Sequence, residues 1–97
     1  MNTRNKPREC QLCQRVIGLT FHHLIPRKVH SRPRFRKKFS REALNQGVWL
    51  CRDCHRAVHR FYDEITLAKE YNSLEALLNS EIIQRHIDWQ RRQRRRI

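Results

Sequence analysis

The sequence contains little of what marks several common classes of protein. Its 97 residues include only two glycines and three prolines, which excludes a collagen-like or low-complexity chain. No apolar run is long enough to span a membrane, and residues 1–10 lack the apolar segment of a secretory signal. We therefore expect no membrane association and predict a cytoplasmic protein in a reducing compartment.

Acidic residues are scarce relative to basic ones. Nine Asp and Glu stand against 22 Lys and Arg, which gives a formal net charge of +13 and an isoelectric point near 11.0. So high a charge on a small domain indicates a polyanionic partner, and we expect DNA. Because phosphate contacts carry no base code, binding should fall steeply with salt and depend little on sequence. A ribosome-associated basic protein is the alternative that charge alone leaves open.

Hydrophobic residues make up only 38% of the chain, and a domain of this size rarely becomes stable through a small core alone. Cysteines can supply a stabilising cross-link. Cys10 with Cys13 and Cys51 with Cys54 form two C-x2-C pairs, the spacing with which two thiolates bind one zinc. Two disulfides or four free thiols are the alternatives, but disulfide frameworks belong to secreted chains. The pairs predict a structural four-cysteine zinc that closes segment 14–50 into a loop.

The periodicity of apolar residues predicts an α+β domain. Two strands, at 16–25 and 48–50, come before a helix at 52–62, which is a β-β-α arrangement; Gly18 marks a bend or bulge in the first strand. Phe21 and Trp49 are predicted to lie in the core. Further helices are predicted after Ser40 and over three later segments, namely 64–71, 73–78 and 80 to near the end.

We predict one domain in three parts: a flexible basic arm at 1–9, a zinc-stapled ββα core at 10–62, and a helical extension at 63–97 with an arginine-rich end. On the last helix, Ile82, Ile83 and Ile87 form an apolar stripe that is predicted to pack on the body.

Four histidines lie at two places in the predicted ββα core, the first strand and the helix after the second cysteine pair. His22 and His23 end the first strand, where neighbouring side chains point to opposite faces, so they cannot share one role. His55 and His59 are four apart on the following helix and project from one face. A second structural zinc is one use for these residues. His30 and His86 are predicted to be ordinary surface or core histidines.

These features resemble the HNH (ββα-metal) endonucleases, in the version that carries a four-cysteine zinc. The resemblance covers about 10–59, roughly half the chain, and depends on "FHHLIP", on Asn45, and on "LCRDCHRAVH". The helix with two histidines four apart is similar to that of the bacterial colicin DNases.

The resemblance implies a metal-dependent hydrolase that cuts DNA phosphodiester bonds to leave 5′-phosphate and 3′-hydroxyl ends. It implies that His23 is the general base and that Asn45 helps to orient it. It also implies that His22, His55 and His59 bind the catalytic divalent ion, whose identity stays open among Mg2+, Mn2+, Ni2+ and Zn2+.

Basic residues are expected to bind the DNA backbone in three places: the loop at 27–41, the helix after the second cysteine pair, and the C-terminus. The predicted contacts are Arg27, Lys28, Arg36, Lys37, Lys38, Arg52, Arg56, Arg91, Arg92, Arg94, Arg95 and Arg96. Three arginines recur four apart on the helix, namely Arg52, Arg56 and Arg60. A solvent-exposed face without DNA contact is an equally good interpretation of them.

Two other functions fit the same residues. One is a non-catalytic zinc-finger module that binds DNA or RNA, and the other is an RNase or toxin-type nuclease. Oligomeric state is open between monomer and homodimer, because one site of this kind cuts one strand at a time.

Overall fold

The computed structural model describes residues 6–93, and its centre is a small ββα unit. Strands β1 (Leu19–His23) and β2 (Gly47–Cys51) pair antiparallel, with Leu19 opposite Cys51 and His23 opposite Gly47. Helix α3 (Arg52–Phe61) follows β2 directly and packs on both strands. The predicted α+β class is confirmed.

The first strand is shorter than the predicted 16–25. The backbone N–H of Cys10 donates to the carbonyl of Arg15 at 3.0 Å, so the turn of the first cysteine pair extends further than expected. Gly18 therefore lies before β1 and does not form a bulge within it. At the other end, the Leu24 N–H still reaches the Gln46 carbonyl at 3.1 Å before the chain leaves the sheet at Ile25.

The basic segment between the strands is anchored by apolar side chains. It contains a 3₁₀ turn (Arg27–Val29), α1 (Pro33–Lys38) and α2 (Arg41–Leu44). Its buried residues, Ile25, Val29, Phe35 and Leu44, form a small second core with Ala68. Their cationic neighbours are thereby held on the surface of a folded segment.

Three helices make up the rest of the described chain: α4 (Glu64–Glu70), α5 (Leu74–Leu78) and α6 (Glu81–Arg92). Each begins after a side chain that accepts a backbone N–H, respectively Asp63, Ser73 and Ser80. In residues 6–93 no helix combines the length and apolarity that crossing a bilayer requires.

Helix α6 lies along α3, and Ile83 and Ile87 are buried as predicted. The prediction for Ile82 is wrong, because this side chain is 42% exposed. Adjacent helical residues project about 100° apart, so Ile82 turns away from the core when Ile83 faces it.

Phe21 and Trp49 are half-buried and do not join the core. They lie on the outer face of the sheet, where their rings meet edge to face at 5.2 Å. The inner face carries His22, Val48 and Leu50, which are buried. Alternation along the strands places the two sets on opposite faces.

The close pairing of β1 with the start of β2 requires a glycine at position 47. A Cβ there would collide with the Phe21 ring and with the backbone carbonyl of His22, which cannot move aside. We expect Gly47→Ala to lower the free energy of unfolding by about 1–3 kcal/mol. Gly18→Ala, which meets nothing within 4 Å, is the control and should change it by less than about 0.5 kcal/mol. Equal thermal denaturation midpoints for the two variants would contradict this account.

Candidate metal centres

The structure brings the four cysteines together. All are buried, their sulfur atoms lie within 4.8 Å of one another, and the Sγ atoms of Cys13 and Cys51 are 3.9 Å apart. Tetrahedral coordination with Zn–S bonds of about 2.3 Å requires sulfurs about 3.8 Å apart. The group can therefore bind one metal ion such as zinc with little movement.

Backbone groups shape each cysteine pair for this purpose. The N–H groups of Leu12 and Cys13 point at the Cys10 sulfur, at 3.4 and 3.5 Å, and the Cys54 N–H points at the Cys51 sulfur at 3.4 Å. Gln14 adopts a positive φ of 65° to close the first turn. Donors aimed at sulfur favour the thiolate, which is the form that binds metal.

The sulfurs are too close for all four to ionise without a cation. Hydrogen bonds from Cys13, Cys51 and Cys54 lower the pKa of the Cys10 thiol. Hydrogen bonding to Cys10 and the other two sulfurs raises the pKa of Cys54, and burial raises it further. A divalent cation would remove this conflict by stabilising all four thiolates together.

The second group consists of His22 on β1 and of His55 and His59 on α3. One ring nitrogen from each lies within 4.8 Å of the others, and the three ring centroids are 5.1–5.2 Å apart. The helical spacing of four and the inward face of β1 direct all three rings to one point. This is the set that the sequence predicted, and it can hold a metal ion.

His22 is the most unusual side chain in this group. It is 1% exposed, and neither ring nitrogen has a hydrogen-bond partner among residues 6–93. Burial, and next the charges of His55 and His59, lower its pKa to about 3, so the ring is neutral at pH 7. A buried polar group without a partner costs about 1–3 kcal/mol. A neutral imidazole whose nitrogen faces two others is suited to metal binding, and a bound ion would offset this cost.

Thr20 determines which nitrogen of His55 faces the group. Its single hydroxyl proton is donated to the Leu50 carbonyl at 2.9 Å. The oxygen must then accept the hydrogen bond that joins it to His55 Nδ1 at 2.8 Å, so Nδ1 carries the ring proton. Nε2 of His55 is thereby left as the free ligand atom. Sequence reasoning missed Thr20, although its place two residues before His22 puts it on the same face of β1.

His23 points to the other face of β1, as the alternation predicted. Its ring contacts Phe21 edge to face at 5.0 Å and lies 5.8 Å from the ring of His30. Burial, followed by the charges of His30 and Arg27, lowers the pKa of His23. Its charge also lowers the pKa of His55, so it lies within electrostatic reach of the histidine group.

His30 was predicted to be ordinary, yet it is a neighbour of His23. Its Nε2 donates to the Ile25 carbonyl at 2.6 Å, which holds the ring in place. The turn after β1 brings His30 to His23, and nothing in the sequence indicated that contact.

Asn45 is exposed at the end of α2, where its backbone N–H donates to Arg41 and Glu42 carbonyls. Its predicted orienting role stays a prediction.

Some of the predicted basic contacts lie beside the histidines. Arg52 and Arg56 line a depression of about 270 Å³ together with Thr20, His55 and His59. Further predicted contacts are exposed on the basic segment and on α6, namely Arg27, Lys28, Arg36, Lys37, Lys38 and Arg92.

Arg91 has a structural contact in addition. Its guanidinium donates to the Cys13 carbonyl at 3.2 Å and to Gln14 at 2.9 Å, which ties α6 to the first cysteine pair. Arg94, Arg95, Arg96 and part of the predicted arm at 1–9 lie outside the described residues.

We expect the purified protein to retain one zinc per chain through dialysis and Cys54→Ser to lose it. Structural zinc in small domains contributes about 10–16 kcal/mol, and a whole domain is stable by only about 5–15 kcal/mol. The variant should therefore lose cooperative thermal unfolding. His59→Ala, which leaves all four sulfurs in place, should keep the zinc. Elemental analysis measures the zinc content, and circular dichroism follows thermal unfolding. A Cys54→Ser protein with normal zinc content would refute the four-cysteine site.

We expect Thr20→Val to weaken metal binding at the histidine group by about 10-fold or more, because His55 loses the partner that selects its tautomer. Calorimetric titration of the zinc-loaded protein with Ni2+ measures this affinity. Thr20→Ser keeps the hydroxyl and should bind as the wild type does. Equal affinities for the valine and serine variants would show that the hydroxyl has no such role.

Comparisons of this chain with protein-family models, with curated proteins and with solved structures found no match.

Proposed function

We propose that this protein is a metal-dependent endonuclease of the HNH type that hydrolyses DNA phosphodiester bonds. The observation that carries the proposal is the buried His22, which has no hydrogen-bond partner within the described chain and faces His55 and His59. A structural role without a metal would pair such a ring with a protein group. Three neutral imidazoles beside a basic depression instead support a centre for phosphate chemistry.

The residues present fit a divalent ion. His22, His55 and His59 would hold it, and a bound ion would supply Lewis-acid stabilisation of the charge that develops on the phosphate. With at most three protein ligands, coordination positions remain for substrate, whereas the four-cysteine group is closed. The two groups therefore suit different tasks, catalysis for the histidines and stability for the cysteines.

His23 is suited to the role of general base. It ends β1 next to the histidine group but on the other face, so its ring is separate from the metal ligands. Its lowered pKa keeps the imidazole neutral at pH 7, and a neutral ring nitrogen can accept the proton of an attacking water. The edge-to-face contact with Phe21 and the neighbouring His30 restrict the ring orientation.

The surrounding cations are suited to holding the DNA backbone. Arg52 and Arg56 would bind phosphate oxygens beside the histidines, and the anchored basic segment would extend the contact along the strand. A net charge of +13 supports a polyanionic substrate over a neutral one.

The consecutive residues His22 and His23 provide a matched pair of variants. We expect wild-type protein to nick supercoiled plasmid with Mg2+, Mn2+ or Ni2+ and to stop with EDTA. His23→Ala should lose at least about 100-fold in rate, the usual range for a general base, while it still binds Ni2+ and DNA. His22→Ala should lose nicking and Ni2+ binding together. Gel assays of nicking, calorimetry and DNA-binding anisotropy separate these outcomes.

Two results would contradict the proposal. Nicking that His23→Ala leaves intact would remove its assignment as the base. Absence of nicking by the wild type with every ion, with DNA binding retained, would favour a non-catalytic zinc-finger module. Faster cleavage of RNA than of DNA under the same conditions would instead favour an RNase.

A further inference from the structure

A second depression lies between α3 and α6. It encloses about 510 Å³, within the range of small-molecule binding sites. Helix α3 contributes Arg56 and Arg60, and α6 contributes Arg85, His86 and Trp89, among others. We call it the α3–α6 groove. Neither the zinc group nor the proposed nuclease reaction uses it.

Trp89 is the most conspicuous residue of the groove. It is 56% exposed, the highest value among the exposed large hydrophobic side chains of the described chain. Its ring lies 5.9 Å from that of His86, which in turn meets Phe61 edge to face at 6.3 Å. The groove thus has a row of aromatic rings that ends in an accessible indole. A large exposed aromatic ring is a platform on which a nucleobase can stack.

Two residues that line the groove carry buried polar atoms without a hydrogen-bond partner in the described chain. Gln90 is 1% exposed, and its Oε1 has no hydrogen-bond partner among residues 6–93. Its Nε2 lies 3.4 Å from the carboxylate of Asp53. His86 Nε2 is also buried without a partner in the same part of the chain. Buried polar groups in folded proteins are usually paired, so a small side-chain shift that exposes these atoms would let a ligand with its own donors and acceptors satisfy them.

The rim of the groove is cationic. Arg56 and Arg60 are exposed, and Arg85 is paired with Glu81 at 2.9 Å. Arg56 also lines the depression at His55 and His59. One arginine is therefore shared between the proposed cleavage site and the groove, so the two sites are neighbours on adjacent faces of α3.

We propose that the α3–α6 groove binds an unstacked nucleobase of a single strand whose adjacent phosphate lies on Arg56. The base would stack on Trp89, and its edge would reach Gln90 and His86. The position of that phosphate next to the cleaved bond rests on the proposed nuclease function; the base pocket itself does not. A fully paired duplex hides its base faces, so the groove selects single-stranded, nicked or branched substrates.

An acidic peptide would satisfy the same arginines. It would leave Trp89 without a flat partner and would bring carboxylates toward Asp53, which already lies in the groove. A nucleobase offers both a π face for the indole and ring-edge donors and acceptors for Gln90 and His86. The combination of groups therefore favours a base.

The two tryptophans of the chain allow a direct test by fluorescence. Trp49→Phe leaves Trp89 as the only tryptophan, and Trp89→Phe leaves Trp49, on the outer face of the sheet. We expect a short oligothymidylate to quench the emission of Trp89 and to leave that of Trp49 unchanged. An oligomer of equal length with abasic residues, and polyglutamate of equal charge, should quench neither.

Affinities measured by anisotropy complete the test. Trp89→Ala should weaken binding of oligothymidylate by about 5- to 100-fold, the range for loss of one stacked base. It should change binding of duplex or of the abasic oligomer by less than about twofold, because phosphate contacts remain. Trp89→Phe, which keeps a stacking ring, should retain most of the affinity.

Three outcomes would overturn the proposal that the groove binds a nucleobase. The first is that Trp89 emission stays unquenched when oligothymidylate is fully bound. The second is that Trp89→Ala loses as much affinity for the abasic oligomer as for oligothymidylate. The third is that polyglutamate quenches Trp89 emission as strongly as oligothymidylate does. The proposed nuclease activity can fail independently of the proposed base pocket. Absence of nicking together with normal quenching of Trp89 would reject the reaction and keep the pocket, whereas normal nicking without quenching would reject the pocket alone.

Discussion

The strand-to-helix junction at 51–54 is the constraint on which the rest of the structure depends. Cys51 is at once the last residue of β2 and the N-cap of α3, and its sulfur accepts the backbone N–H of Cys54. These two sulfurs meet those of Cys10 and Cys13, which precede β1. The direction of α3 relative to the sheet is therefore set where four thiols converge. A metal ion bound there would hold that direction in a domain whose apolar core is small.

The candidate catalytic group follows from this geometry. With α3 held across the inner face of β1, His55 and His59 lie against the buried His22, and Thr20 on the same face holds the ring of His55. The alternation of the strand sends His23 to the opposite face. Two consecutive histidines thus receive different surroundings, one enclosed by other imidazoles and the other partly open beside His30. That division suits a metal ligand and a base.

Charge is organised by apolar contacts. The cations of the segment between the strands are held at the surface because Val29, Phe35 and Leu44 pack into a second small core. Between α3 and α6, the exposed Trp89 shares a groove with arginines and with two residues whose buried polar atoms have no partner in the described chain. Arg56 borders both depressions on α3. This one side chain therefore links the proposed phosphate centre with the proposed base groove.

Much of this could be predicted from the sequence, because the informative patterns are local. The spacing of two cysteines in a turn, the helical spacing of His55 and His59, and the cap at Ser40 depend on residues a few positions apart. The structure was needed wherever contacts join distant segments. The turn that brings His30 to His23, the turning of Ile82 away from the core, and the groove around Trp89 all depend on how α3, α6 and the basic segment pack. The sequence alone determined which side chains could bind metal and phosphate. Only the tertiary structure decided which further residues join the predicted groups, such as Thr20 at His55 and His30 at His23, because packing over long sequence separations sets their distances.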